Sequence, residues 1–275
     1  MKITRILLAT EHTEFDAGAE ALAMALAQRL GSALPVILPV LSNAEFEAVA
    51  PELAAKADAE AARRSAALRA AAGELALELR VRRGGEPDLE IIDEAKRLGT
   101  ELLITRRRGK RGFLAKMLVG EMVSKILAQA PCDMLIVPRE ARLWQRGVLA
   151  GLDPQVPDPA LVDRAAAIAR DWGLPLTLVA VAEADSDVSA AQQVIDAART
   201  QASVAGLKLR AEVRRGRVHE ALREALHAAG ADLLLLGHPR GRMGHPWASG
   251  AAEKTIGILD CPVWVCQGPR GEGAP

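Results

Sequence analysis

The chain has 275 residues, half of them hydrophobic and a quarter charged, with 35 lysines and arginines against 35 aspartates and glutamates. That length predicts two domains of about 130 residues each, and the composition excludes wholesale disorder. The even charge balance excludes a global field that would draw the whole chain onto nucleic acid or an anionic membrane.

The opening Met1-Lys2-Ile3-Thr4-Arg5 runs into an apolar segment too short for a signal peptide or a membrane span, so a cytoplasmic protein is expected. That segment, Ile6-Leu7-Leu8-Ala9-Thr10-Glu11, reads as a buried strand ending in an acid. An Ala-rich stretch with helical spacing follows from Ala17 to Leu30, and Gly31 stands after its end. Leu34-Pro35-Val36-Ile37-Leu38-Pro39-Val40 reads as a second strand, and Pro51 begins another helix. Val81-Arg82-Arg83-Gly84, Glu101-Leu102-Leu103-Ile104 and Ala130-Pro131-Cys132-Asp133-Met134-Leu135-Ile136-Val137 supply the remaining strands.

The series then begins again. Val148-Leu149-Ala150-Gly151-Leu152-Asp153 answers the first strand, and Leu174-Pro175-Leu176-Thr177-Leu178-Val179-Ala180-Val181 answers the second. Asp158 before Pro159 predicts the cap of a helix running to Trp172, with Gly173 after it. Val213-Arg214-Arg215-Gly216, Asp232-Leu233-Leu234-Leu235 and Leu259-Asp260-Cys261-Pro262-Val263-Trp264-Val265 complete the repeat in unchanged order. Buried strands alternating with helices imply two α/β domains, each a five-stranded, mostly parallel sheet covered on both faces. The expected domains span 1–138 and 147–267, with 139–146 as linker and the Gly- and Pro-rich 268–275 as a disordered tail.

In such sheets ligands gather beyond the carboxyl ends of the strands, where helix N-termini present free N–H groups. Glu11 and Asp153 follow the first strands, Val40 and Val181 stand at the second, and loops from Arg106 and from Gly237 follow the fourth. The first of these loops, Arg106-Arg107-Arg108-Gly109-Lys110-Arg111-Gly112, could grip a phosphate or an RNA backbone, but a solvated basic loop is the plainer reading. With three Phe and no Tyr, stacking platforms for single-stranded nucleic acid are missing. His238 and His245 lack acidic or thiol partners nearby in sequence and His219 sits near a predicted helix start, so surface or packing roles are expected and no metal site is assigned. Cys132, Cys261 and Cys266 match no zinc spacing and read as buried thiols, while Trp264 reads as core or interface.

The whole chain resembles two copies of the universal stress protein domain, the Ala-Pro-Cys before a closing apolar strand being typical. That resemblance implies a Rossmann-like doubly wound fold with strand order 3-2-1-4-5 in each half. It also implies an intramolecular pseudo-dimer joined through the last strands. ATP-binding members carry an acid after strand one, a Val after strand two and G-x2-G-x9-G-[ST] after strand four. In the second half Asp153, Val181, Gly237 and Gly250 match, Arg240 stands where the second glycine belongs with Gly241 beside it, and Ala251 replaces the hydroxyl. In the first half Glu11 and Val40 stand at the adenosine side, Arg106 replaces the first glycine, Gly109 fits the second, Gly120 follows one residue late and Glu121 replaces Ser/Thr. A carboxylate at that helix start repels a triphosphate, so the first copy is expected to be degraded.

The leading expectation is a non-enzymatic stress-response binding or regulatory protein that takes an adenine nucleotide, ATP or AMP with magnesium, in the second half. Two alternatives stay open: a scaffold for an unidentified protein partner with no nucleotide, and a weak ATP hydrolase using Asp153, for which the sequence supplies no evident general base. Membrane and nucleic-acid partners are not expected.

Overall fold

The computed structural model describes residues 3–42, 44–107, 120–203, 206–238 and 251–268. The chain divides into two compact units, one containing the described residues from Ile3 to Leu143 and the other those from Trp144 to Gly268. The expected tail, residues 269–275, lies outside the described residues.

In the first unit the elements run β1 (Ile6–Ala9), α1 (Ala17–Leu30), β2 (Leu34–Leu41), α2 (Ala44–Val49), α3 (Pro51–Ala72), β3 (Leu77–Gly84), α4 (Pro87–Arg97), β4 (Leu102–Arg106), α5 (Glu121–Gln129) and β5 (Asp133–Val137). The strands lie in the order 3-2-1-4-5, and every pair is parallel. β1 sits between β2 and β4, so both of its faces and both of its edges are covered. This is why Ile6-Leu7-Leu8-Ala9 needs no polar alternation. Each fully buried Leu or Ile of β1 and β4 contributes on the order of 1.5–3 kcal/mol of hydrophobic stabilisation.

The second unit repeats the plan with β6 (Val148–Leu152), α6 (Pro159–Trp172), β7 (Leu176–Ala182), a short 3-10 turn at Asp185–Asp187, α7 (Val188–Ser203), β8 (Leu209–Arg215), α8 (Val218–Ala229), β9 (Leu233–His238), α9 (Ala251–Ile258) and β10 (Val263–Gln267). Its order, 8-7-6-9-10, is that of the first unit with all pairs parallel. Both first helices end on a glycine in the left-handed region, Gly31 at φ 64° and Gly173 at φ 65°, where a Cβ is strained.

One carboxylate per unit pins the start of the central strand. Glu101 Oε2 accepts from the N–H of Thr4 at 2.8 Å and of Arg5 at 3.0 Å. Asp232 accepts from the N–H groups of Gln145, Arg146 and Gly147 at 2.9–3.1 Å. Trp144, inside the expected linker, is 1% exposed and packs on Trp172 and Trp264 with centroids 4.9 and 6.2 Å apart. The second unit's core thus begins before its first strand, and Trp264 belongs to it.

Candidate functional site

The right-handed crossovers of a 3-2-1-4-5 sheet send connections from β1 and β4 to opposite faces, opening a crevice beyond their carboxyl ends. In the first unit that crevice holds Arg106. The sequence reading put this residue in a solvated basic loop. The structure makes it the last residue of β4, paired in register with Val137, and only 7% exposed. Its Nη2 lies 2.9 Å from Glu11 Oε1 and its Nη1 lies 2.8 Å from Asp16 Oδ2. Nη1 also donates to Thr13 Oγ1 at 3.2 Å.

Asp16, 1% exposed, stands just before α1, where an aspartate ordinarily accepts from the helix's own N–H groups. Here it makes no such cap. Its Oδ2 accepts instead from the N–H of Thr13 at 2.9 Å and the hydroxyl of Thr13 at 2.6 Å, besides Arg106. The guanidinium therefore compensates a buried carboxylate that would otherwise carry a large desolvation cost.

Two further contacts fill the same end of the sheet. Glu20 Oε1 accepts from Thr10 Oγ1 at 2.5 Å, and both Glu20 oxygens lie 3.1 Å from His12 Nδ1. Arg139, past the end of β5, pairs with Glu14 at 3.1 Å and lies over the Phe15 ring at 5.9 Å. The backbone carbonyls of Pro138 and Arg139 press on Gly18 so closely that any Cβ there would overlap them.

The second unit carries the same frame with different side chains. Asp153 follows β6 and Asp158 precedes α6, spaced as Glu11 and Asp16 are. The position equivalent to Arg106 is Gly237, the penultimate residue of β9. A Cβ at Gly237 would stand 2.9 Å from Asp158 Oδ2, so the carboxylate rests against bare backbone. Asp158 also caps α6 in the expected manner, Oδ1 accepting from the N–H of Leu161 at 3.1 Å. Leu152, Pro154 and Val162 replace Thr10, His12 and Glu20. With Asp158, Val194 and Gln201 they help line a cavity of about 230 Å³ between α6 and α7.

Of the other residues singled out in the sequence, Val40 and Val181 are the buried penultimate residues of β2 and β7. Gly120 precedes α5 and Glu121 opens it, its carboxylate 86% exposed and 3.3 Å from Lys125 Nζ. That contact raises the Lys125 ammonium above its ordinary range. Ala251 opens α9. Gly109, Arg240, Gly241, Gly250 and His245 lie outside the described residues. Cys132 and Cys266 are buried as expected, whereas Cys261 is only half-buried; desolvation nevertheless pushes its thiol up to about 12. Sequence reasoning missed Asp16 altogether. The signal available was the Glu11 and Asp16 pair recurring at the spacing of Asp153 and Asp158.

Among the described residues, no cluster of His, Cys, Asp and Glu is arranged to hold a metal ion, and no helix is long and apolar enough to cross a membrane.

Comparison with known structures returns the same architecture. A structure described as a putative universal stress protein from Pseudomonas aeruginosa UCBPP-PA14 is 20% identical, with 96% of this chain and 93% of that one covered and a TM-score of 0.67. A universal stress protein from Archaeoglobus fulgidus DSM 4304 is 16% identical, with 96% and 97% covered and a TM-score of 0.71. These likenesses establish the fold. A comparison with curated proteins gives no match. The model of the universal stress protein family matches twice, at residues 2–138 and 146–267, and together these matches span nearly the whole chain. The chain belongs to the universal stress protein family and carries two copies of its domain in tandem.

Proposed function

We propose that this chain is a non-catalytic stress-response binding protein whose second half takes an adenine nucleotide, ATP or AMP with magnesium, while its first half does not. The observation that carries the reading is the exchange at the end of the fourth strand. The first half places a buried arginine side chain there, and the second places Gly237, which carries no side chain into the crevice. Asp153 and Val181 serve the adenosine side in this reading. Gly237, Arg240, Gly241, Gly250 and Ala251 form the phosphate side, where backbone N–H groups and the start of α9 favour an anion. Ala251 supplies no hydroxyl for a metal, and Arg240 contributes a cation in its place. Nothing in this set acts as a general base, so binding without turnover is expected.

Calorimetric titration of nucleotide-free protein with ATP and with AMP, in the presence of magnesium, tests the reading. One saturable site that disappears in Asp153→Ala is the expected result, with no phosphate released over the same period. No heat at millimolar ligand would sink the nucleotide reading in favour of a scaffold. Steady phosphate release lost in Asp153→Ala would make the protein a hydrolase.

A further inference from the structure

We propose that Arg106 is a tethered ligand: its guanidinium occupies the first half's crevice in place of an external molecule and closes that copy to adenine nucleotides. A guanidinium in a protein carries its charge at any working pH and presents fixed, planar donors. Here those donors are spent on Glu11 and Asp16, both in the connection from β1 to α1, at 2.9 and 2.8 Å. Asp16 gives up the capping role its position offers in order to receive them, whereas Asp158 at the equivalent position keeps it.

The sign of the site follows from these contacts. Two carboxylates face the crevice, one of them buried, and a third, Glu20, lies behind them with Thr10 and His12. An incoming phosphate has to displace the arginine and then face those carboxylates. An incoming organic cation has only to replace the arginine. A second closure acts at the start of α1, where a helix ordinarily offers its N–H groups to an anion. The carbonyl oxygens of Pro138 and Arg139 crowd that turn, and Arg139 is fastened over it through Glu14 and Phe15. The crevice is therefore a cation seat, of the kind that recognises a guanidinium or alkylammonium group, already filled by the chain itself. Closure of the first half stands on these contacts alone. Confinement of the nucleotide response to the second half rests on the function proposed above.

The test uses the full chain in an Asp153→Ala background, which silences the second half, with methylguanidinium chloride at low millimolar concentration and magnesium ATP as the two probes. With Arg106 in place, neither probe is expected to bind or to shift thermal unfolding. Arg106→Gly is expected to lower the first half's unfolding temperature by about 10 °C, because Asp16 is left buried and unpaired. Methylguanidinium should then restore much of that loss by binding the folded state, and ATP should not. An unchanged unfolding temperature in Arg106→Gly would overturn the proposal. So would ATP binding to the Asp153→Ala chain with Arg106 present, or rescue by ATP instead of methylguanidinium.

If Arg106→Gly fails to fold, Arg106→Lys and Glu11→Gln are combined in a double-mutant cycle read by unfolding temperature. Glu11 is part-exposed, so its variant is tolerated. A smaller shift from Glu11→Gln in the Lys background supports the tether, and equal shifts in both backgrounds overturn it. ATP titrated into the unaltered chain reads the second half separately. Its failure to bind there would remove the nucleotide reading and leave the Arg106 results standing.

Discussion

The two halves reach one fold by opposite chemistry. At the crevice the first half sets Arg106 between Glu11 and Asp16, while the second sets Gly237 beside Asp158. Behind the crevice, hydrogen-bonded Thr10, His12 and Glu20 give way to Leu152, Pro154 and Val162. Glu94 on α4, 1% exposed and surrounded by Arg80, Arg82 and Arg97, gives way to buried Ala225 on α8. The topology therefore tolerates either an ionic or an apolar filling, provided each is complete. An ionic filling fixes one arrangement of charges and excludes ligands that disturb it.

The sharpest way to break this comparison is to remove the apolar anchor. All four tryptophans, at 144, 172, 247 and 264, belong to the second half, so indole fluorescence follows that half and leaves the first silent. Trp144→Ala removes a buried ring packed on two others and is expected to cost about 3–5 kcal/mol in denaturant unfolding followed by the remaining indoles. Hydrogen exchange in β1 and β4, which belong to the first unit, should hardly change. Trp144→Phe tests a second point, because Trp144 Nε1 is buried without a hydrogen-bond partner among the described residues. Phenylalanine deletes that orphaned donor while keeping an aromatic ring, so its cost should fall well below that of alanine.

Next in size is the ionic counterpart. Glu94 accepts from Arg97 through both oxygens, at 2.5 and 3.0 Å. These hydrogen bonds, opposed by burial and aided by the charges of Arg97, Arg80 and Arg82, hold its carboxyl below the ordinary value of 4.5. A group whose folded pKa lies below its unfolded one stabilises the fold above the unfolded value, and that contribution is lost as pH falls through the folded value. Glu94→Gln should cost about 1–2 kcal/mol near neutrality, discounted because the arginines are half-exposed, and should cost progressively less below pH of about 4. Hydrogen exchange in α4 and β3, measured in both proteins at neutral and acid pH, reads the difference. An equal cost at both pH values would show that the carboxylate's charge is not what matters there.

Much of this architecture was legible in the residues. Continuous apolar runs gave the strands because parallel sheets covered on both faces need no alternation, and Asp158-Pro159 gave the cap of α6 because proline cannot donate and aspartate can accept. The helix Ala44–Val49 was not foreseen, being too short to display a period. The crevice was harder to read. Arg106 opens a run of arginines that looks like a solvated loop, and nothing local distinguishes its buried member from its neighbours. What buries it is Asp16, ninety positions away, and such a long-range charge pair is visible only once the sheet has brought β1 and β4 together. Glu101 and Asp232, which hold the starts of the central strands by accepting backbone N–H groups, were hidden for the same reason.

The smallest expected effect on stability comes from transplanting the arginine. Gly237→Arg puts a Cβ where Asp158 Oδ2 now rests, 2.9 Å away. Asp158 can relieve this by turning out of its cap and receiving the new guanidinium, as Asp16 receives Arg106. The exchange loses the bond from the Leu161 N–H, worth about 1 kcal/mol, and gains a charge-assisted pair of similar size, so the net change should stay within about 1 kcal/mol. Nucleotide binding, by contrast, should disappear, since the second crevice would then be filled as the first is. Denaturant unfolding followed by indole fluorescence gives the first quantity, and calorimetry with ATP the second. Lost binding with stability kept would mean that one side chain decides whether a copy of this domain is open or closed. Lost binding with stability collapsed would mean that the first half's carboxylate pair was shaped for its arginine in a way the second half's pair is not.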